Sequence, residues 1–558
     1  MKVNKDFIKV MGFMKKKAPV YFSFMIVHNA IVSICYNIVL AFILKEMIDS
    51  IVYQDINSIY KAFFIALISF SIAFIFEPIT MKITNYCVRS TMGEIRQKTF
   101  NHIEDVKVNI YEQYSLGDIL SRLSKDTDTL EDIYLKYLPN LCFSVIHGAV
   151  AIVSMIFMSP FLGAAALAIG LLSVFVNCLF SKKIRLYSTV YQKEYGNLSQ
   201  SIIDMNDGFI DMKTSCSEDY FCKKFKNINI KMKDNYEKRE KYNLSLETSN
   251  TLFENINNIG LMALGLYMVL KGYTTIGVVV SIIRLQGNAS YLFSNFSTFI
   301  AGLQKALPAA RRVMEIFEME TEGQNDDTNI LEEKWKISKG QISIKDLTYS
   351  YNGVHNILDR ISMDINHGDL VGIMGESGEG KSTLIKILLG FYEPATGIYR
   401  INDNDIKDIN ISELRNNIAY VDQDCHLYQL TIEENIRLGN KNASKEEIYE
   451  ACRLANAHDF ILKLENEYDT IINETGDNIS GGQRQRIAIA RALVSKRNIL
   501  LIDEGTAELD PETEKIIINT IMNVAGKKTI IIISHKLSFI EHANKKYRLA
   551  NGKLNYLS

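Results

Sequence analysis

Hydrophobic positions fall into two regimes along this chain. From residue 1 to about 310 they gather in long runs; from 340 to 558 they come as strand-length runs between charged helical stretches. Roughly 20 mainly apolar helical residues cross the hydrocarbon core of a bilayer. That predicts six spans, at about 20–44, 60–83, 136–158, 160–182, 250–270 and 276–303. Ser159-Pro160 alone separates the third from the fourth, and Lys271-Gly272-Tyr273-Thr274-Thr275 separates the fifth from the sixth. The longer stretches 84–135 and 183–249 carry many Lys and Arg residues, which places them and both termini in the cytoplasm. Each long stretch reads as helix, short turn, helix, continuing the spans beyond the bilayer. Gly117-Asp118-Ile119-Leu120-Ser121-Arg122 with Asp126, and Gly208 to Lys213, hold matching places near the two turns. Such segments are either plain surface turns or contacts for the soluble domain.

Lys2, Lys5, Lys9 and Lys15 to Lys17 precede the first apolar run, as in a signal peptide. The run from Val20 to Leu44 is too long for that, lacks a small-residue cleavage site, and is followed by further spans. Only a short basic lead precedes it, so no amino-terminal peptidase domain is expected. Residues Met319 to about Lys334 are polar, acidic and without apolar periodicity, which reads as a linker. The expected division is a membrane domain over 1–318, a linker over 319–335 and a soluble domain over 336–558. Strand-like alternation opens the soluble part at Ile342-Ser343-Ile344 and passes into strand–helix alternation, predicting a mostly parallel sheet.

Composition narrows the function classes. Lys plus Arg number 62 against 64 Asp plus Glu, and the basic residues gather on no soluble segment, so nucleic acid is not an expected partner. The eight cysteines show no C-x-x-C or metal-spaced set, and suit buried thiols in a reducing compartment. The nine histidines form no zinc-type cluster either.

The chemistry lies in three strand ends. Leu370-Val371-Gly372-Ile373-Met374 is a buried-strand run, and Thr383 to Leu389 begins a helix. Between them Gly375-Glu376-Ser377-Gly378-Glu379-Gly380-Lys381-Ser382 fits the phosphate loop G-x-x-x-x-G-K-[ST]. Its glycines let successive N–H groups point at phosphate oxygens, and the helix N-terminus adds a favourable dipole. Lys381 then reaches the β and γ phosphates, Ser382 ligates Mg²⁺, and Gly375 through Thr383 are the candidate ATP contacts. Ile499-Leu500-Leu501-Ile502 ends in Asp503-Glu504: Asp503 suits Mg²⁺ contact through water, and Glu504 suits polarising the attacking water. Thr529 to Ile533 ends at Ser534-His535, where His535 can meet a γ-phosphate. Ile479-Ser480-Gly481-Gly482-Gln483 lies between the first two. Behind several long apolar helices, this set reads as an ATP-driven membrane machine.

Over nearly its whole length the chain resembles an ABC transporter of the exporter type, a half-transporter with fused membrane and nucleotide-binding domains. The resemblance implies an all-α six-helix transmembrane domain followed by an α/β P-loop ATPase domain. It also implies roles: Tyr351 stacks on adenine, Gln423 senses Mg²⁺ and γ-phosphate, and Glu474 touches the intracellular loops. Ser480, Gly481, Gly482 and Gln483 match the signature that closes over ATP held by a partner subunit; Asp510 matches the end of the D-loop, and His535 the switch histidine. Gly117 to Arg122 resembles the first intracellular coupling region. Two positions depart from the family pattern: Ile479 stands where Leu is usual, and Ala507-Glu508-Leu509-Asp510 replaces Ser-Ala-Leu-Asp, adding a charge at the expected dimer seam.

A signature that completes another chain's site requires a second half-transporter subunit, a homodimer being favoured over a heterodimer. The resemblance implies ATP-driven alternating access in the cytoplasmic membrane, with export of an amphipathic compound, peptide or lipid. Lipid flipping, metal-chelate import and a non-transporting regulator are the alternatives. Polar residues in the spans, His28, Asn29, Asn37, His147, Glu254, Asn255, Asn258, Arg284 and Gln286, are candidates to line a route. Arg284 either contacts an anionic substrate group, pairs with an acid or snorkels outward.

Overall fold

The computed structural model describes residues 5–322, 340–351, 353, 355–376, 378–473, 478–503 and 511–557. Two compact units divide them: one comprises Met1–Glu104 with Ser115–Glu318, the other Asp105–Tyr114 with Met319–Ser558.

The first unit is built from six long helices: α1 (Ala18–Tyr53), α2 (Ile56–Asp105), α3 (Leu116–Met158), α4 (Pro160–Asp207), α5 (Glu218–Leu270) and α6 (Ile276–Phe317). Among the described residues, α1 to α4 are long and apolar enough to cross a membrane. The fifth predicted span falls on α5, where Glu254, Asn255, Asn257 and Asn258 dilute the apolar run. On α6 only Ile276–Gly287 is a short apolar stretch. Pro160 at the first turn of α4 needs no N–H bond, so a one-residue break at Ser159 suffices between α3 and α4. Between α4 and α5 lies a short helix, Phe209–Thr214, and between α2 and α3 another, Val108–Tyr111.

Among the described residues, π turns mark three places in this unit. A π-helical turn interrupts α1 at Ile34–Ile38, and two more lie in α3 at Arg122–Asp126 and Ile133–Tyr137. Pro78 sits inside α2. Polar groups in the bundle find partners across helices: His147 Nδ1 meets Ser33 Oγ at 2.9 Å, and Ser281 Oγ donates to the Ala41 carbonyl at 2.6 Å. At the start of α6, Asp49 accepts from Thr275 Oγ1 at 2.8 Å and from the Gly277 N–H at 3.0 Å, satisfying helix-end donors with an anion.

The first of the two turn segments opens a helix. Ser115 caps α3 by accepting from the Asp118 N–H, so Gly117 to Arg122 form the first turns of a helix. Buried Arg122 pairs with Asp118 and Glu315, and buried Asp126 holds Arg312 at 2.5 Å, tying α3 to α6 inside the first unit. The stretch that groups with the second unit is Asp105–Tyr114, just upstream. It pairs with the start of the predicted linker: Lys107 N–H donates to Glu320 O, and Glu322 N–H to Asp105 O.

The second unit carries two sheets. β1 (Ile342–Tyr349), β2 (Leu358–Ile365), β4 (Thr396–Ile401) and β5 (Asn404–Asp405) form an antiparallel sheet in the order β2-β1-β4-β5. The larger sheet runs β10-β9-β3-β8-β7-β6, from β3 (Leu370–Met374), β6 (Ile418–Val421), β7 (Ile499–Asp503), β8 (Thr529–Ile533), β9 (Lys545–Ala550) and β10 (Lys553–Leu557). It is parallel apart from the β9–β10 pair. β7 and β8 are buried at every position, which is why both read as unbroken apolar runs. Alternate residues feed different cores. Val371, Ile373, Leu501, Ile531 and Ile533 join the core holding helix α7 (Lys381–Leu388). Leu370, Leu500, Ile502, Ile530 and Ile532 join the core holding helix α8 (Gly481–Val494). The two helices therefore cover opposite faces of one sheet.

Candidate functional site

Strand register brings the predicted chemistry to one edge of the sheet. Ile373 of β3 pairs with Ile533 of β8, and Ile533 pairs with Asp503 of β7, so three C-terminal strand ends lie level. The phosphate-loop pattern leaves β3, Asp503 closes β7, and Ser534-His535 leaves β8. In open parallel sheets ligands bind at this carboxyl edge.

The phosphate loop has the backbone its motif demands. Gly378 and Gly380 lie at φ 87° and 98°, where a side chain is strained, and a Cβ on Gly375 would come 2.7 Å from the Leu549 carbonyl. Lys381 is 7 % exposed, and its ammonium donates to the Gly375 carbonyl at 2.7 Å and the Glu376 carbonyl at 3.1 Å. Those bonds fold the amine back over the loop. Ser382 is exposed at the start of α7, while Thr383 is buried with its Oγ1 3.0 Å from Tyr351 Oη. Glu379 accepts the Asn551 N–H, anchoring the loop to the turn between β9 and β10. Ser377 lies outside the described residues.

Asp503 is 6 % exposed at the tip of β7. Tyr420 of β6 donates to Asp422 Oδ1 at 3.0 Å; burial, then the Asp422 and Asp503 carboxylates, push its phenol pKa up, so it stays a donor. Asp422 also accepts the Gln423 N–H at 2.8 Å, fixing the turn that leaves Gln423 exposed beside β7. His535 is exposed; its turn is held by the Ser534 N–H on Ile373 O and by Lys536 and Ser538 on Glu514. Ser382, Gln423 and Asp503 thus offer oxygen donors on one sheet edge, a hard-ligand set that fits Mg²⁺. Glu504, Glu474, Ala507, Glu508 and Asp510 lie outside the described residues.

The glycine-rich signature opens α8. Ser480 Oγ accepts the Gln483 N–H at 3.3 Å, and Gln483 Oε1 accepts the Ser480 N–H at 3.0 Å, a reciprocal capping box. Ile479, in the place of the usual Leu, is buried in the core beneath and keeps the apolar role. Gly481 and Gly482 follow with helix-end N–H groups suited to an anion.

Tyr351 belongs to an aromatic cluster that the sequence did not reveal. It meets Tyr349 and Tyr392 edge-on at 5.3 and 5.6 Å, while Tyr349 and Tyr392 stack at 5.2 Å and 8°. Tyr392 donates to Glu112 Oε2 at 2.6 Å, and Lys386 of α7 donates to the same carboxylate at 2.8 and 3.0 Å. Burial alone would raise the Glu112 carboxyl, but the hydrogen bonds from Lys386 and Tyr392 outweigh it and hold it below the usual range. Tyr392 is pushed up by burial and by Glu112. Arg415 meanwhile grips Glu322 with two bonds of 2.7 and 2.8 Å and lies over the Phe391 ring.

A phosphate loop, an acidic strand tip and a capped glycine-rich helix on one twisted sheet, fused to a bundle of membrane-length helices, define a P-loop ATPase built into a membrane protein. Residues 23–290 match the family ABC transporter transmembrane region, and residues 358–507 match the family ABC transporter. Proteins of Staphylococcus aureus strains NCTC 8325 and bovine RF122, described as multidrug export ATP-binding/permease proteins, are each 30% identical over 480 residues. Those alignments cover 86% of this chain and 82% of the relatives. A solved bacterial Atm1-family ABC exporter with ATP bound has the same fold, with a TM-score of 0.74, 22% identity, and coverage of 97% of this chain and 94% of that one. The chain belongs to the ABC transporters, with membrane region and ATPase in one polypeptide. It binds ATP and couples ATP hydrolysis to transport, as a dimer in a membrane.

Proposed function

We propose that two copies of this chain export amphipathic compounds from the cytoplasm across the cytoplasmic membrane, with both termini and the ATPase unit on the cytoplasmic side. The observation that carries the dimer reading is the placement of α7 and α8 on opposite faces of one sheet. On opposite faces the signature and the phosphate loop of one chain do not face each other, which favours a second copy as the source of Ser480, Gly481, Gly482 and Gln483. Export is favoured by the similarity to relatives described as exporters.

In each composite site Gly375 through Thr383 cradle the phosphates, with Lys381 leaving the loop carbonyls for the β and γ oxygens. Tyr351 takes the adenine face. Ser382, Gln423 and Asp503 would hold Mg²⁺, which neutralises charge on the phosphate oxygens when bound. Glu504 orients the attacking water, and His535 donates to the γ-phosphate. ATP binding favours the closed dimer because only there do both halves touch it, and loss of phosphate removes that preference.

Inside-out vesicles bearing this chain alone, given ATP and a cell extract, test the reading. Compounds should accumulate in the lumen with the wild type and not with Glu504→Gln. Glu504-dependent ATPase without accumulation would contradict homodimeric export, and would turn attention to flipping or import.

A further inference from the structure

The seam between α1 and α2 holds a carboxylate that the ATPase chemistry does not use. Glu77 lies within the apolar span of α2, on the face carrying buried Ala73 and Thr80. Its Oε2 accepts from Tyr36 Oη of α1 at 3.3 Å, a long bond, and among the described residues no Lys or Arg pairs with it. The Tyr36 ring stacks with Phe70 of α2 at 5.7 Å and 30°. His28 of α1 meets Thr80 at 2.8 Å on the same seam.

An ionisable group at bilayer depth is costly and is kept where something compensates it. Here one hydroxyl at long range and the His28 imidazole, within electrostatic reach, stand in for a full counter-ion. One facing helix departs from regular α geometry at this level, and the other carries a proline. The π turn Ile34–Ile38 contains Tyr36, and Pro78 follows Glu77 directly. π turns concentrate at functional sites, and a proline loosens the helix beside it. Within one chain α2 is the least covered of the four membrane-length helices, and Phe70 is exposed.

We propose that Glu77, Tyr36 and Phe70 form a binding site for a lipophilic organic cation, the carboxylate meeting its charge and the two rings its apolar or π surface. Rigid aromatic walls with a single acid recognise charge and bulk rather than a particular skeleton. The site names the substrate class of the export reading and rests on it. Arg284 of α6 is exposed and does not share this seam; its chemistry suits anions, which Glu77 would repel.

Binding of tetraphenylphosphonium, and of tetraphenylborate as an anion of the same shape, to the full chain in lipid nanodiscs tests the assignment. Glu77→Gln should weaken tetraphenylphosphonium by about tenfold or more and should not weaken tetraphenylborate. Glu77→Asp should retain most of the cation affinity, and Phe70→Ala should lose part of it. Unchanged cation affinity in Glu77→Gln, or equal loss of both probes, would overturn the site. A wild type that hydrolyses ATP in a Glu504-dependent manner yet binds no tetraphenylphosphonium would overturn it too, and would leave the transport reading standing.

Discussion

At the residue scale, the ATPase side chains were legible because each sits at a strand end and the motif carries its own geometry. Lys381 can only follow a loop of the Gly375–Gly380 kind, and Asp503 can only end a strand buried on both faces. Tyr351 is placed at the adenine by resemblance alone, and its partners were not legible. Its hydroxyl meets Thr383, and its ring abuts Tyr392, a residue far along the chain. If the ring face is what ATP needs, Tyr351→Phe should keep ATP affinity, whereas Tyr351→Ala should weaken it by about tenfold, the worth of one stacking contact. Equal losses in both variants, measured with a fluorescent ATP analogue, would show that the hydroxyl on Thr383 carries the effect. Glu77 escaped the sequence reading for a related reason. Within an apolar run its neighbours in sequence say nothing, and its pairing with Tyr36 depends on the register of two helices.

At the scale of elements, the apolar runs located α1 to α4, and α5 and α6 exist as helices although their membrane segments are diluted by polar residues. The long helices extend far past the bilayer length, as their helix-forming composition suggested. Between α2 and α3, Ser115 caps α3, and the residues that group with the ATPase unit are 105–114, a division that no local pattern marked. No local signal marks Glu112, because its partner Tyr392 lies 280 residues on.

That pairing makes a pH prediction. The Glu112 carboxyl is held below its ordinary value of 4.5, so its contribution is complete above that pH and is lost as pH falls through the depressed value. Hydrogen-exchange protection of 105–114, corrected for intrinsic exchange, should be flat from neutral pH down to about that point and fall below it. Glu112→Gln should show weaker protection at neutral pH and no such fall. Identical profiles for the two proteins would remove Glu112 as the tie.

At the scale of the whole molecule, the two sheet faces matter most. In the proposed dimer, the phosphate loop on one face of one chain's sheet meets the signature helix of the other chain, so two chains share each ATP. Lys381→Ala removes the phosphate-loop half of a site, and Ser480→Arg removes the signature half by placing a bulky cation where the capped helix end must meet phosphate. Either variant alone should hydrolyse essentially no ATP. When the two are co-expressed with different tags and the mixed dimer is isolated, one site has both halves intact and the other has neither. The decisive measurement is the ATPase rate of that mixed dimer. Recovery to a substantial fraction of the wild-type rate is the result expected of two copies sharing their sites. A mixed dimer as inactive as either parent would contradict the account.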